Sequence, residues 1–272
     1  DSCSAEIASH ALSLASSKSG RGNLGRSTEQ LGKFLNIIKE HCDKFNVRQL
    51  SKTFRIVGTF REIPTGIEVF RAMQQRTSKI INDFDSRGVA TVLWALAKHR
   101  DQRKFLNLDL VKQLQIKGTE IISSFNSQDV ANSISSLASL GSKIDTRFRD
   151  AITKHIETIG DSFQTKELVN LFWGFEKLCS VLQFNLLRRI VDRVNVLNSQ
   201  DVATTLYTTA QSPSAKVKKY SSENIELLKR ALVLLQTKML DLATSANSQD
   251  IANTLHAIAR MSETSSYFQK ND

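Results

Sequence analysis

The sequence predicts an all-α chain, a right-handed α-solenoid of about six to seven helix-turn-helix repeats, and three observations carry that reading. A segment of about 38 residues recurs along the 272-residue chain. Each copy opens on helix-capping chemistry and continues with apolar residues at one-face helical spacing. Turn-formers are scarce: there are 2 prolines and 11 glycines, where average usage gives roughly 14 and 19. No alternating strand pattern competes with these signals.

Three copies establish the repeat. They read FNSQDVANSISSLASLG (Phe125 to Gly141), LNSQDVATTLYTTA (Leu197 to Ala210) and ANSQDIANTLHAIAR (Ala246 to Arg260). Aligned on them are FNVRQLSKTFRIVGTF from Phe45, FDSRGVATVLWALAKH from Phe84 and FQTKELVNLFWGFEKL from Phe163. A degraded seventh copy, EIASHALSLAS, runs from Glu6 to Ser16. The anchoring apolar residues are Ile7, Leu50, Val89, Val130, Leu168, Val202 and Ile251. From Leu50 to Val202 they advance 152 residues in four steps, a mean period of 38. First helices are expected to begin near residues 3, 46, 85, 126, 164, 198 and 247, within one repeat array over 1–272.

Each anchor stands at a helix start for a physical reason. In Phe125-Asn126-Ser127-Gln128-Asp129-Val130, Asn126 suits the N-cap, where its side chain accepts free N–H groups of the first turn. Asp129 falls at the third helical position, within reach of the cap and at the positive end of the helix dipole. Phe125 and Val130 have the spacing of a hydrophobic staple. The same layout recurs at Phe45/Leu50, Phe84/Val89, Phe163/Leu168 and Leu197/Val202, and more weakly at Ala246/Ile251.

Between anchors lie second helical stretches with their own apolar faces: Thr28 to Phe45, Thr65 to Phe84, Thr146 to Gly160, Asn185 to Leu197 and Glu223 to Ala243. A pair of such helices cannot bury its apolar face alone, so neighbouring pairs must stack into a continuous core.

Composition narrows the function. Hydrophobic residues are 40% and charged residues 24%, as in globular chains. The purely apolar runs are short, as at Val92 to Ala97 and Ala231 to Leu235, far below the roughly 20 residues a membrane helix needs. With 37 Lys+Arg against 27 Asp+Glu, the net charge is +10 and the pI about 9.6. That surplus suits a polyanionic partner, RNA before membrane. Cys3, Cys42 and Cys179 form neither a disulfide framework nor a metal motif. The five histidines, His10, His41, His99, His155 and His256, hold no fixed relation to carboxylates or cysteines. One GxGxxG, Gly20 to Gly25, follows a Ser-rich stretch rather than a strand, so it fails the context test of a dinucleotide loop. No enzyme activity, cofactor, metal or small-molecule substrate is expected.

The cores VATVLWALAKH, VANSISSLASLG and IANTLHAIAR, in two-helix units of about 38 residues, resemble the octotricopeptide repeat of organellar RNA-binding proteins. Similar arrays precede a RAP domain in relatives of the FAST-kinase-like RNA-processing proteins. The resemblance covers Ile7 to Arg260. NSQD and its variants stand where that family has a proline-rich start, and pentatricopeptide and armadillo-type arrays share the Leu/Ala-rich grammar. The resemblance implies a place in mitochondrion or plastid, and a role in RNA processing, stability, translation or ribonucleoprotein assembly. The start at Asp1 and the lack of a polar capping helix after Arg260 make the chain read as a piece of a longer protein.

Numbered from the anchor, three positions recur on one stripe of the first helix. Position +2 holds Lys52, Thr91, Asn132, Asn170, Thr204 and Asn253; position +5 holds Arg55, Trp94, Ser135, Trp173, Tyr207 and His256. Position +9 holds Thr59, Lys98, Ser139, Lys177, Gln211 and Arg260. Short polar groups at +2 suit base edges, flat groups at +5 suit stacking, and basic groups at +9 suit phosphates. The expected RNA-binding set is therefore Lys52, Arg55, Thr91, Trp94, Lys98, Asn132, Ser135, Asn170, Trp173, Lys177, Thr204, Tyr207, Asn253, His256 and Arg260. Trp94 and Trp173 suit packing between repeats better than stacking on bases. Of two further basic stretches, Lys216 to Tyr220 reads as an exposed, solvated loop before a phosphate contact, and Arg188-Arg189 with Arg193 could line the same groove or the outer face. The expected partner is single-stranded RNA, with other ribonucleoprotein proteins beside it. A protein-interaction scaffold with a peptide-binding concave face is the alternative.

Overall fold

The computed structural model describes residues 24–59, 66–180, 183–211 and 220–268, and all regular structure among them is helical. The degraded copy at Glu6 to Ser16 and the basic run Lys216 to Lys219 lie outside the described residues, as do residues 20–23 of the GxGxxG. The chain divides into two compact units between Gly160 and Asp161. The first holds α1 (Leu24–His41), α2 (Val47–Val57), α3 (Gly66–Lys79), α4 (Ser86–Lys98), α5 (Leu108–Glu120), α6 (Ser127–Leu140) and α7 (Thr146–Ile159). The second holds α8 (Thr165–Cys179), α9 (Phe184–Val191), α10 (Ser199–Ala210), α11 (Ser222–Asp241) and α12 (Ser248–Phe268). Even-numbered helices carry the anchors. No described helix is long and apolar enough to cross a membrane.

The even helices start where their caps dictate. The side chains of Asn46, Asp85, Asn126 and Asn198 each accept a backbone N–H three residues on. Gln49 completes a capping box by accepting the N–H of Asn46, and Glu167 does the same for Gln164. Ahead of every even helix stands a one-turn 3-10 helix, at Cys42–Lys44, Ile81–Asp83, Ile122–Ser124, Gly160–Ser162, Val194–Val196 and Ala243–Ser245. Three of the second helices consequently end earlier than the sequence suggested: α1 at His41, α3 at Lys79 and α9 at Val191. Tighter i→i+3 bonding closes each turn, as where Phe45 N donates to Cys42 O at 3.1 Å and Phe125 N to Ile122 O at 3.0 Å. The following Phe or Leu is then buried: Phe45, Phe84, Phe125, Phe163 and Leu197 are all 3% exposed or less. Helix α6 stops at Gly141, whose φ of 61° is the left-handed cap that glycine adopts without strain. Helix α5 has no counterpart among the stretches singled out above.

In the first unit the even helices contact one another in chain order, α2 with α4 and α4 with α6, and so do the odd helices α1, α3, α5 and α7. Each even helix also meets the odd helix that follows it. The second unit repeats the arrangement, with α8, α10 and α12 in one series and α9 and α11 in the other. The architecture is thus helical-repeat-like. Anchor, +4 and +7 side chains form the core: Leu50, Phe54 and Val57 on α2, Val89, Leu93 and Leu96 on α4, and Val130, Ile134 and Leu137 on α6 are all fully buried. On α12 the same row, Ile251, Leu255 and Ile258, stays 41–61% exposed.

Polar groups fix the register. Ser86 Oγ donates to Asp129 Oδ2 at 2.9 Å, joining the start of α4 to that of α6, and Ser199 Oγ donates to Asp250 Oδ2 at 2.8 Å between α10 and α12. The Asn and the Asp of NSQD therefore have separate duties. Asn caps its own helix, and Asp129 and Asp250, both buried, tie their repeats to the ones before. Gln74 and Gln115, both 1% exposed, clasp the segments ahead of α5 and α7. Gln74 accepts from Asn107 N and donates to Phe105 O, while Gln115 accepts from Asp145 N and donates to Lys143 O.

Candidate nucleic-acid interface

Helical geometry places +2, +5 and +9 on the face opposite the anchor, +4 and +7 row, and that face reaches solvent in every described repeat. Lys52 and Arg55 on α2, Lys98 on α4, Lys177 on α8, and His256 and Arg260 on α12 are exposed. Thr91 and Trp94 on α4, Asn132 and Ser135 on α6, Asn170 and Trp173 on α8, Thr204 and Tyr207 on α10, and Asn253 on α12 are half-buried. None of these residues enters the core.

The stripe is in register between neighbours. In the second unit Tyr207 and His256, both at +5, face each other with ring centroids 5.5 Å apart and 32° between planes. At +9, Arg260 donates to Gln211 Oε1 at 2.8 Å. In the first unit Trp94 leans on the end of α2, where a Cβ on Gly58 would come within 2.6 Å of the indole. Lys98 Nζ stands 5.5 Å from the centroid of the same ring. Ser135 Oγ returns to its own helix, donating to Asn132 O at 3.3 Å.

One row was missed from sequence. Position −2 holds Arg48, Arg87, Gln128, Lys166, Gln200 and Gln249, all exposed. Its spacing to +2, +5 and +9 continues the stripe by one turn. The signal was legible, since six aligned repeats place only Arg, Lys or Gln there. It lay hidden among first-turn residues assigned to capping.

In the first unit the two ends of the stripe form a groove. A cleft of about 550 Å³ is lined by Arg48, Lys52, Arg55, Arg87 and Thr91, with Asp83 and Asp85 on its wall. A second, of about 370 Å³, shares Arg55, Arg87 and Thr91 and extends to Trp94, Gln128, Asn132 and the acid Asp129. Helices α2 and α4 contain no Asp or Glu. Arg48, Lys52, Arg55 and Arg87 have no carboxylate within 4.0 Å among the described residues. Of the nearby acids, Asp85 accepts the N–H of Gly88 at 2.7 Å, Asp129 accepts from Ser86 and also attracts Arg87, and Asp83 lines the larger cleft. Burial holds the Asp129 carboxyl above the usual range, against the pull of the Ser86 hydroxyl and the Asn126 N–H. Burial raises Asp201 in the same way.

The arginines of α9 and the turn after it serve the scaffold. Arg188 pairs with Glu223 at 2.6 Å, Arg189 with Asp161 at 2.8 Å, and Arg193 donates to Phe163 O at 2.5 Å. On odd helices of the first unit, Lys39 pairs with Glu68 and Arg76 donates to Phe45 O. Among the described residues no group of His, Cys, Asp and Glu assembles a metal site. No known family model matches this chain, and no curated protein matches it in sequence.

Proposed function

We propose that the chain binds single-stranded RNA along the even-helix face of an octotricopeptide-like array, a right-handed α-solenoid of about six to seven repeats. The observation that carries the reading is the solvent-facing stripe at −2, +2, +5 and +9, which repeats in register and holds cationic, hydrogen-bonding and planar side chains. Those are the groups that contact phosphates, base edges and base faces of unpaired nucleotides. The in-order contact of even helices with even and odd with odd supports the solenoid. The place in mitochondrion or plastid, and the role in RNA processing, stability, translation or ribonucleoprotein assembly, rest on the resemblance of the repeat cores.

Replacing Asn132, Asn170 and Asn253 together by Ala tests the reading. Loss of preference between RNA sequences, with thermal unfolding unchanged, supports base contact at +2. Unchanged preference assigns the row to structure.

A protein-interaction scaffold is the second reading, favoured by the exposed row Ile251, Leu255 and Ile258 of α12. The equivalent rows lie under neighbouring helices in earlier repeats, so the matching ligand is an amphipathic helix of a protein partner. Ile251→Asp with Leu255→Asp removes such binding and leaves RNA binding intact.

A further inference from the structure

Charge is distributed unevenly along the RNA-facing stripe. We infer that the groove between α2 and α4 anchors the phosphodiester backbone of the bound strand, while the even helices of the second unit contribute little affinity. This rests on the RNA-binding reading above and assigns its parts.

Three observations carry the division. First, α2 and α4 hold five Lys and Arg residues and no acid. Helices α8, α10 and α12 hold only Lys166, Lys177 and Arg260 as Lys or Arg, against Glu167, Glu176, Asp201, Asp250 and Glu263. A polyanion meets favourable potential at the first pair and none at the second set. Second, the cations of α2 and α4 converge on one concave surface: Arg55 and Arg87 line both clefts, with Arg48 and Lys52 in the larger. Guanidinium forks without carboxylate partners are the groups that take phosphate oxygens in pairs. Third, the one aromatic of this groove is half-buried, since Trp94 packs on Gly58 and carries Lys98 near its ring. Stacking at this end is therefore restricted, and phosphate is the part of the strand left for the groove to hold. Acids stand on both sides of these cations, Asp83 and Asp85 on the wall of the larger cleft and Asp129, tied to Ser86, in the smaller, so the phosphates are held between them at Arg55 and Arg87.

The test measures binding of the full chain to a random single-stranded RNA pool by fluorescence anisotropy over a salt series. Two double variants are compared, Arg55→Gln/Arg87→Gln in the groove and Lys166→Gln/Lys177→Gln in the second unit. Each phosphate contact to single strands contributes about −0.7 to the slope of log affinity on log salt. The groove variant is expected to bind at least about tenfold more weakly, with a slope shallower by about 1.4. The second-unit variant is expected to lose less than about threefold. Arg55→Lys/Arg87→Lys retains the slope. Equal losses in the two Gln variants, or none in the groove, overturn the inference while wild-type binding upholds the RNA reading. Failure of the wild type to bind at low salt overturns both. Photo-crosslinking of thiouridine-labelled RNA to the wild type gives a readout free of any folding effect. Adducts on α2 and α4 peptides support the assignment, and adducts confined to the second unit overturn it.

Discussion

Asp129 shows at the level of one residue how a repeat motif divides its labour. The residue is 5% exposed, and its carboxylate accepts from Ser86 of the preceding repeat. A buried anion is tolerated only while such donors remain. Ser86→Ala is expected to cost about 1.5–3 kcal/mol at pH 7, the scale of a hydrogen bond to a charged group. Because burial raises this carboxyl above its ordinary value, the loss shrinks as acid protonates Asp129. Urea unfolding at pH 7 and pH 4 reads the difference, and an equal loss at both contradicts the assignment. His99 gives the opposite sign. Burial holds its imidazole below the ordinary value, partly offset by its hydrogen bond to Val57 O. The unfolded chain therefore takes the proton first, and stability present above about pH 6.5 is lost as the pH falls toward the folded value. Thermal midpoints of the wild type should fall between pH 7 and pH 5, and His99→Gln should remove part of that fall. Burial also pushes the Cys42 thiol up to about 12. A disulfide reagent at pH 8 is expected to reach Cys42 only after denaturation.

At the scale of elements, the even helices were legible because each carries three coincident local signals: a capping side chain, a staple and a one-face apolar row. Asn46, Asp85, Asn126, Gln164 and Asn198, read as helix starts, are the N-caps of the structure. The odd helices were less legible because their ends are set by tertiary contacts. The 3-10 turns after α1, α3, α5, α9 and α11 place Phe45, Phe84, Phe125, Leu197 and Ala246, and no capping residue announces them. The clasps of Gln74 and Gln115 join residues about 30 apart and leave no sequence pattern. Gln115→Leu is expected to cost about 1–3 kcal/mol, since it strands Asp145 N–H and Lys143 O. Gly58 sets a second limit. A Cβ there meets Trp94 at 2.6 Å, Phe54 O at 3.1 Å and Ala95 Cα at 3.2 Å. Gly58→Ala is expected to cost about 1–3 kcal/mol by overpacking. Trp94→Leu in the same chain should recover part of that loss, and no recovery in the double variant would show that the ring is not the obstacle. The same contact explains why Trp94 read ambiguously from sequence: a +5 aromatic serves packing and exposure at once.

For the whole molecule, a net charge of +10 gave only the sign of the partner. Several cations of the odd helices and the turns after them are tied to carboxylates or main-chain carbonyls, as with Arg188, Arg189, Arg193 and Lys117. Those of α2 and α4 remain available on the face opposite the core. That separation was not readable from composition, because it depends on which acids fold beside which bases. It is also what joins the helical-repeat-like architecture to the proposed RNA binding. The most direct test is anisotropy of the purified chain with single-stranded RNA and with duplex DNA of equal length, from low to physiological salt. The account expects single-stranded RNA to bind more tightly, with affinity falling steeply and linearly in log salt. No binding at low salt from a folded helical sample, or equal affinity for the duplex, would contradict it.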